Sequence, residues 1–163
     1  MATVTTLAKA AGGRGNPSKK PYMVEVTIDL AAAATAKGSA LAAADVIECI
    51  SVGANTVVMF AGTEITTAPT GGNGCTIDLG ITGGDVDAFV DGATITGESA
   101  GSYGTLVNTA CPILVTTADT IDMLLIGTTP DTAGKIRVYA MLMDVDSVGS
   151  SKAADEVDRD LLA

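Results

Sequence analysis

The residues with the most capacity for chemistry lie together mid-chain: Gly83-Gly84-Asp85-Val86-Asp87-Ala88-Phe89-Val90-Asp91-Gly92 holds three carboxylates at short spacing. Asp85, Asp87 and Asp91 are oxygen donors of the kind calcium collects six to eight at a time. An EF-hand register is not met, because its fifth position falls on Phe89 and its twelfth on Thr96, and a solvated turn is the alternative reading. The chain has no histidine in 163 residues, which removes Ser-His-Asp and Cys-His nucleophiles and any His-ligated zinc site. Asp131-Thr132-Ala133 approximates the aspartic-protease triplet, but Ala133 replaces the glycine and there is no second copy, so it reads as a turn. Thr70-Gly71-Gly72-Asn73-Gly74 lacks the following Lys-Ser/Thr of a phosphate-binding loop and reads as a hairpin tip. Cys49, Cys75 and Cys111 stand far apart, and their odd number argues for reduced, buried thiols and against a disulfide framework. Carboxylates are all that remain for an enzyme. The expectation is a non-enzymatic protein with no catalytic residues, cofactor or metal, the Asp85, Asp87, Asp91 turn being the one open question.

These turns must be carried by strands. Tyr22, Val24, Val26, Ile28 and Leu30 alternate with Met23, Glu25, Thr27 and Asp29, the period of a half-buried strand. Similar runs recur at Val46–Val52, Thr56–Thr67, Thr76–Ile81, Ala88–Ile95, Thr105–Val115, Thr120–Thr128 and Lys135–Val145, separated by Gly, Asn, Asp and Pro. Pro112 belongs at an edge or a bulge. The spacing predicts an all-β antiparallel sandwich of about eight strands. Gly53-Ala54-Asn55 implies that the runs on either side pair as neighbours, and residues 129–134 imply a central hairpin between the last two. Met123–Ile126 and Val138–Met143 are apolar on both faces, so a second sheet or a second subunit covers their outer side. Ala31–Ala44 favours helix but is cut by Gly38, which predicts a long loop with at most one helical turn.

Composition bounds the rest. The length suits about one domain with a complete core. Aromatics are 3% and Trp is absent, so Val, Ile, Leu, Met and Ala must build that core. The mean hydropathy of +0.41 is read either as a subunit interface or as an Ala-rich composition. The net charge of −10 is unevenly spread. Residues 1–20 form a basic extended arm carrying Lys9, Arg14, Lys19 and Lys20 without an acid, loosened by Gly12, Gly13 and Gly15 and kept from helix by Pro17 and Pro21. Residues 21–145, the predicted sandwich, carry fourteen acidic and three basic residues. Residues 146–163 form an acidic tail in which Val157 and Leu161, spaced i to i+4, suit a short helix. An acidic body repels nucleic acid, and an arm of four charges without aromatics is better suited to an acidic protein surface. No apolar run reaches the length of a membrane span, and the first twenty residues lack the continuous apolar core of a signal peptide, so neither is expected.

Three stretches resemble those of small structural proteins of tailed-bacteriophage virions, of the capsid decoration or cement type found in marine and cyanobacterial phages. They are Gly13-Arg14-Gly15-Asn16-Pro17-Ser18-Lys19-Lys20-Pro21-Tyr22-Met23-Val24-Glu25, the Gly83–Gly92 run, and Gly134-Lys135-Ile136-Arg137-Val138-Tyr139-Ala140. The similarity spans most of residues 13–145 and contains no catalytic signature. It implies a jelly-roll-like sandwich, although strand count and alternation alone suit an immunoglobulin-like connectivity equally. It also implies a homo-oligomer, with a trimer favoured, and assembly in the host cytoplasm onto the outer surface of the mature capsid. The expected partner is the major capsid protein, with no nucleic acid and no membrane, and the capsid-binding arm would use Arg14, Asn16, Pro17, Lys19, Lys20 and Tyr22. A tail or head-tail connector protein is the alternative, followed by a glycan-binding head-fibre module, for which Tyr22, Tyr103, Tyr139, Phe60 and Phe89 are the only aromatics.

Overall fold

The computed structural model describes residues 3–4, 9–10, 21–81, 83–104, 106 and 111–145. In chain order the elements are β1 (Thr3–Val4), β2 (Lys9–Ala10), β3 (Tyr22–Asp29), α1 (Leu30–Lys37), β4 (Val46–Val52), β5 (Thr56–Thr70), β6 (Thr76–Ile81), β7 (Val90–Thr94), β8 (Ile113–Val115), β9 (Asp119–Ile126) and β10 (Ala133–Asp144). Eight of the strands make two antiparallel sheets, ordered β4-β9-β6-β7 and β3-β10-β5-β8. The two-residue strands β1 and β2 add to the open edge of β4 in parallel. The chain is thus the all-β sandwich that its alternation predicts.

Each sheet contributes a row of isoleucines to one core. Ile28, Ile136 and Ile65 lie opposite one another across β3, β10 and β5, and Ile50, Ile121 and Ile81 across β4, β9 and β6; all six are buried in the same cluster. Burying one such side chain is worth roughly 1.5–3 kcal/mol. Phe89 is fully buried with them, from the acidic Gly83–Gly92 run.

Two expected hairpins do not form. β4 and β5 lie in different sheets, as do β9 and β10; β9 pairs with β4 and β6, and β10 with β3 and β5. A link of three residues spans about 10 Å when extended, which equals the separation of stacked sheets, so a short turn can cross the sandwich as readily as it closes a hairpin. The longer link before β10 is pinned by Asp131, which is 1% exposed. Its Oδ1 accepts from the Gly72 amide at 3.0 Å and its Oδ2 from Thr96 Oγ1 at 2.7 Å, while Thr96 Oγ1 accepts from the Cys75 amide at 2.9 Å.

The Ala-rich stretch also departs from expectation, because α1 runs for eight residues. Asp29 caps it, its Oδ1 accepting from the Ala31 and Ala32 amides at 3.0 and 3.2 Å. Gly38, at φ 78°, closes the helix and does not interrupt it, its amide donating to the carbonyl of Ala34. Leu30 and Ala33 are buried, so packing adds to alanine's intrinsic preference. Lys37 Nζ then reaches Asp45 Oδ2 at 2.5 Å and fixes the return toward β4. Among the described residues no helix is long and apolar enough to cross a membrane.

Candidate functional site

The two sheets turn unlike faces outward. On the first, Glu48 of β4 stands opposite Asp122 of β9, which stands opposite Gly80 of β6, and Asp78 lies two residues before Gly80 on the same face. The segment after β6 folds flat over Gly80: the Ile81 amide donates to the Asp85 carbonyl and the Phe89 amide to the Leu79 carbonyl, both at 2.9 Å. A Cβ at position 80 would sit 2.2 Å from the Asp85 carbonyl oxygen, so glycine is required there. Folding the segment down brings carboxylate oxygens of Asp78, Asp87 and Asp91 within 4.8 Å of one another.

This acidic face is electrostatically unfavourable for ionised carboxyls. Burial raises the pKa of Asp78, with Asp91 adding to the rise and the Gly92 amide, 2.7 Å from Asp78 Oδ1, opposing it. A hydrogen bond and charge repulsion from Asp85 raise that of Asp87. Burial, then Asp122 and Asp119, raise that of Glu48. Of the three sequence candidates for a cation, the structure brings Asp87 and Asp91 together with Asp78, and Asp85 touches the group through Asp87. Three carboxylate oxygens are half of the smallest calcium shell, so the cluster by itself is an incomplete calcium site. Sequence reading missed Asp78. Its signal was an acid at an outward position of a strand, two residues before a glycine, which marks a sheet face that a loop can approach.

The outer face of the second sheet is apolar at one end. Met141 of β10 stands opposite Met23 of β3 and Phe60 of β5, and Met143 stands opposite Val57, which in turn faces Leu114 of β8. Directly opposed residues share a face, and Met141 and Met143 are two apart on one strand, so these six side chains form one patch. Met23 is 54% exposed and Leu114 52%, and the other four are half-buried. Tyr139 continues the patch, with its ring edge-on to Phe60 at 6.4 Å. Beyond it the face turns charged: Arg137 pairs with Glu64 and, at 3.4 Å, with Glu25, and Lys135 lies 3.5 Å from Asp29. Since Lys37 is held by Asp45, every basic side chain of residues 21–145 is engaged in an ion pair.

The remaining sequence candidates are scattered. Arg14, Asn16, Pro17, Lys19 and Lys20 lie outside the described residues, as does the Val157–Leu161 spacing of the tail. Tyr22 sits on β3, and its hydroxyl donates to Asp144 Oδ1 at 2.8 Å; burial and this bond push its pKa up. Asp131, of the protease-like triplet, is the inter-sheet clip. Cys49, Cys75 and Cys111 are thiols outside any disulfide, Cys49 and Cys75 buried and Cys111 half-exposed, and burial is the main cause that raises all three pKa values. A polar cleft of roughly 290 Å³ between β5, β7 and residues 95–104 is lined by Thr63, Asp91, Glu98, Ser102 and Tyr103 among others. Ser102 Oγ occupies its Glu98 carboxylate at 2.9 Å. Tyr103 is the only aromatic of the chain with an exposed side chain, at 62%.

A sandwich of two four-stranded antiparallel sheets with a buried isoleucine core and a short capped helix defines the structural class. No family model matches the chain, and no curated protein matches it in sequence. Among solved structures it is similar to a chain of the capsid of Ralstonia phage GP4, with a TM-score of 0.60 and 17% identity over 90% of this chain and 100% of that one. It is also similar to a chain of the cyanophage Pam1 capsid asymmetric unit (TM-score 0.52, 12% identity, 82% and 91% covered). A third likeness is to a chain of the acid-stable capsid of Helicobacter pylori bacteriophage KHP30 (TM-score 0.50, 8% identity, 76% and 86% covered). At these identities the likeness is one of fold.

Proposed function

We propose that the chain is a structural protein of a tailed-phage virion, a decoration or cement protein that binds the outer surface of the mature capsid and stabilises it without chemistry. The observation that carries this reading is the whole-chain match: 90% of this chain superposes on 100% of a chain in the capsid of Ralstonia phage GP4, so the likeness is to a separate small sandwich and not to one domain of a larger subunit. The absence of histidine and the dispersal of the thiols and the protease-like triplet fit a role in binding. Repetition does the rest, because a shell offers many identical sites and weak contacts made by a small oligomer, a trimer by preference, multiply. The major capsid protein is the partner.

The arm is the second part of the reading. Thr3–Val4 and Lys9–Ala10 occupy the β4 edge of their own chain. The stretch left to reach the shell is therefore residues 11–21, which hold Arg14, Asn16, Pro17, Lys19 and Lys20 and lead into Tyr22. Co-sedimentation with expanded capsids and with unexpanded procapsids of the source phage tests both parts. Saturable binding to expanded shells alone is expected, weakened on deletion of residues 2–20 and more so at low salt than at high. No binding to either shell would turn the reading to a tail or connector component.

A further inference from the structure

Resting on that reading, we infer that the apolar end of the β3-β10-β5-β8 outer face, centred on Met23, Phe60, Leu114 and Met141, is the surface that docks on the shell. The surface it meets is apolar at its centre and carries Asp or Glu where it meets the basic arm.

Three observations converge on it. The six side chains of the patch carry no charge, although the 125 residues around them hold fourteen acids and three bases. Strand β10 is an inner strand of its sheet, buried on its inner side through Ile136, Val138, Ala140 and Leu142, yet among the described residues no helix or sheet lies over Tyr139, Met141 and Met143 on its outer side. A contiguous apolar surface of this kind on a small protein marks an interaction site, and methionines adapt to an irregular partner surface. The third observation is where the chain leaves the sheet. Met23 follows directly on Lys19-Lys20-Pro21-Tyr22, so the basic arm starts at the border of the patch, and a single partner surface can engage both.

The arm decides between the candidate occupants. On the reading above, residues 11–21 with Arg14, Lys19 and Lys20 hold the shell and run directly into Tyr22 and Met23, so the shell lies against this face and the contacts of an oligomer fall elsewhere. Acidic groups of the shell beside the patch meet Lys19 and Lys20 with the opposite sign, which speeds and orients encounter. The apolar centre supplies the affinity, as buried anchors do at interfaces.

The test uses the full chain and co-sedimentation with expanded shells. Met23→Ser combined with Leu114→Ser removes apolar surface from two positions already more than half exposed, so the fold is retained; thermal melting verifies this. The double variant is expected to bind about tenfold to a hundredfold more weakly. Glu48→Gln, on the opposite face, is expected to bind as the unaltered chain does. Failure of the unaltered chain to bind would overturn the functional reading itself. Normal binding by the unaltered chain and by the double serine variant alike would overturn only the choice of face. Sedimentation velocity without shells supplies the remaining outcome: an oligomer that the double variant dissociates would assign the face to a second copy and overturn the proposal.

Discussion

The two outer faces are built from the same strand geometry and solve opposite problems. Over β4, β9 and β6, outward positions carry Glu48, Asp122 and Asp78, and the chain covers part of that face itself by laying residues 83–89 across Gly80. Over β3, β10 and β5, outward positions carry Met23, Met141 and Phe60, and the described chain covers them with nothing comparable. The acidic face is thus closed over groups that resist sharing a space, whereas the described residues leave the apolar face open although covering it would be favourable. A chain selected only for its own stability would do the reverse. The difference supports the proposal that the apolar surface serves a partner.

The largest effect on this division should come from Asp131, because the link it clips sends β9 and β10 to different sheets and so creates two faces. Asp131→Ala leaves the Gly72 amide and the Thr96 hydroxyl, both half-buried, without their acceptor and should lower stability by about 2 kcal/mol. Urea unfolding checks it; a change below about 1 kcal/mol would mean that strand pairing alone holds the crossing. A smaller effect is the pH response of the acidic face. Glu48, Asp78 and Asp87 have raised pKa values, so the folded chain binds their protons more tightly than the unfolded chain does. Their contribution to stability therefore rises as pH falls from neutrality through their folded values, and it levels off below the ordinary carboxylate range. Asp29 opposes this: the Ala32 amide chiefly lowers its pKa, so its cap contributes above the ordinary range and is lost as pH falls through its folded value. Asp29 acts only below the ordinary carboxylate range, so between the two values the raised groups decide: the melting temperature should be higher near pH 5 than at pH 7, and Asp87→Asn should raise it at pH 7 and flatten the rise. A melting temperature that falls over this interval would show that the face is not strained by its charges.

Much of this was legible from residue patterns, for reasons that also explain the failures. Alternation at Tyr22–Leu30 and Lys135–Val145 reports which side chains share a face, and each isoleucine row follows from it once the register is known. The two-sided apolarity of Val138–Met143 gave the open face its first notice. Alternation does not report which strands share a sheet, and so the Gly53–Asn55 turn and the link through Asp131 were misread as hairpins. The Asp87–Asp91 turn was visible, but Asp78 joins it only because Gly80 lets the loop lie flat, a contact between segments that no local pattern encodes. The arm's basic character was plain, whereas the parallel pairing of Thr3–Val4 and Lys9–Ala10 with β4 involves too few residues to leave a periodic trace.

The most direct measurement is methionine oxidation by dilute peroxide, read by peptide mass spectrometry, on the free protein and on protein bound to expanded shells at saturation. Met23 and Met141 mark the apolar face, and Met123, fully buried on β9, is the internal control. The account predicts that Met23 and Met141 oxidise readily when free and several-fold more slowly when bound, with Met123 slow in both. Equal oxidation of Met23 and Met141 in the free and bound protein would contradict it, because the surface left open would then still face water on the shell.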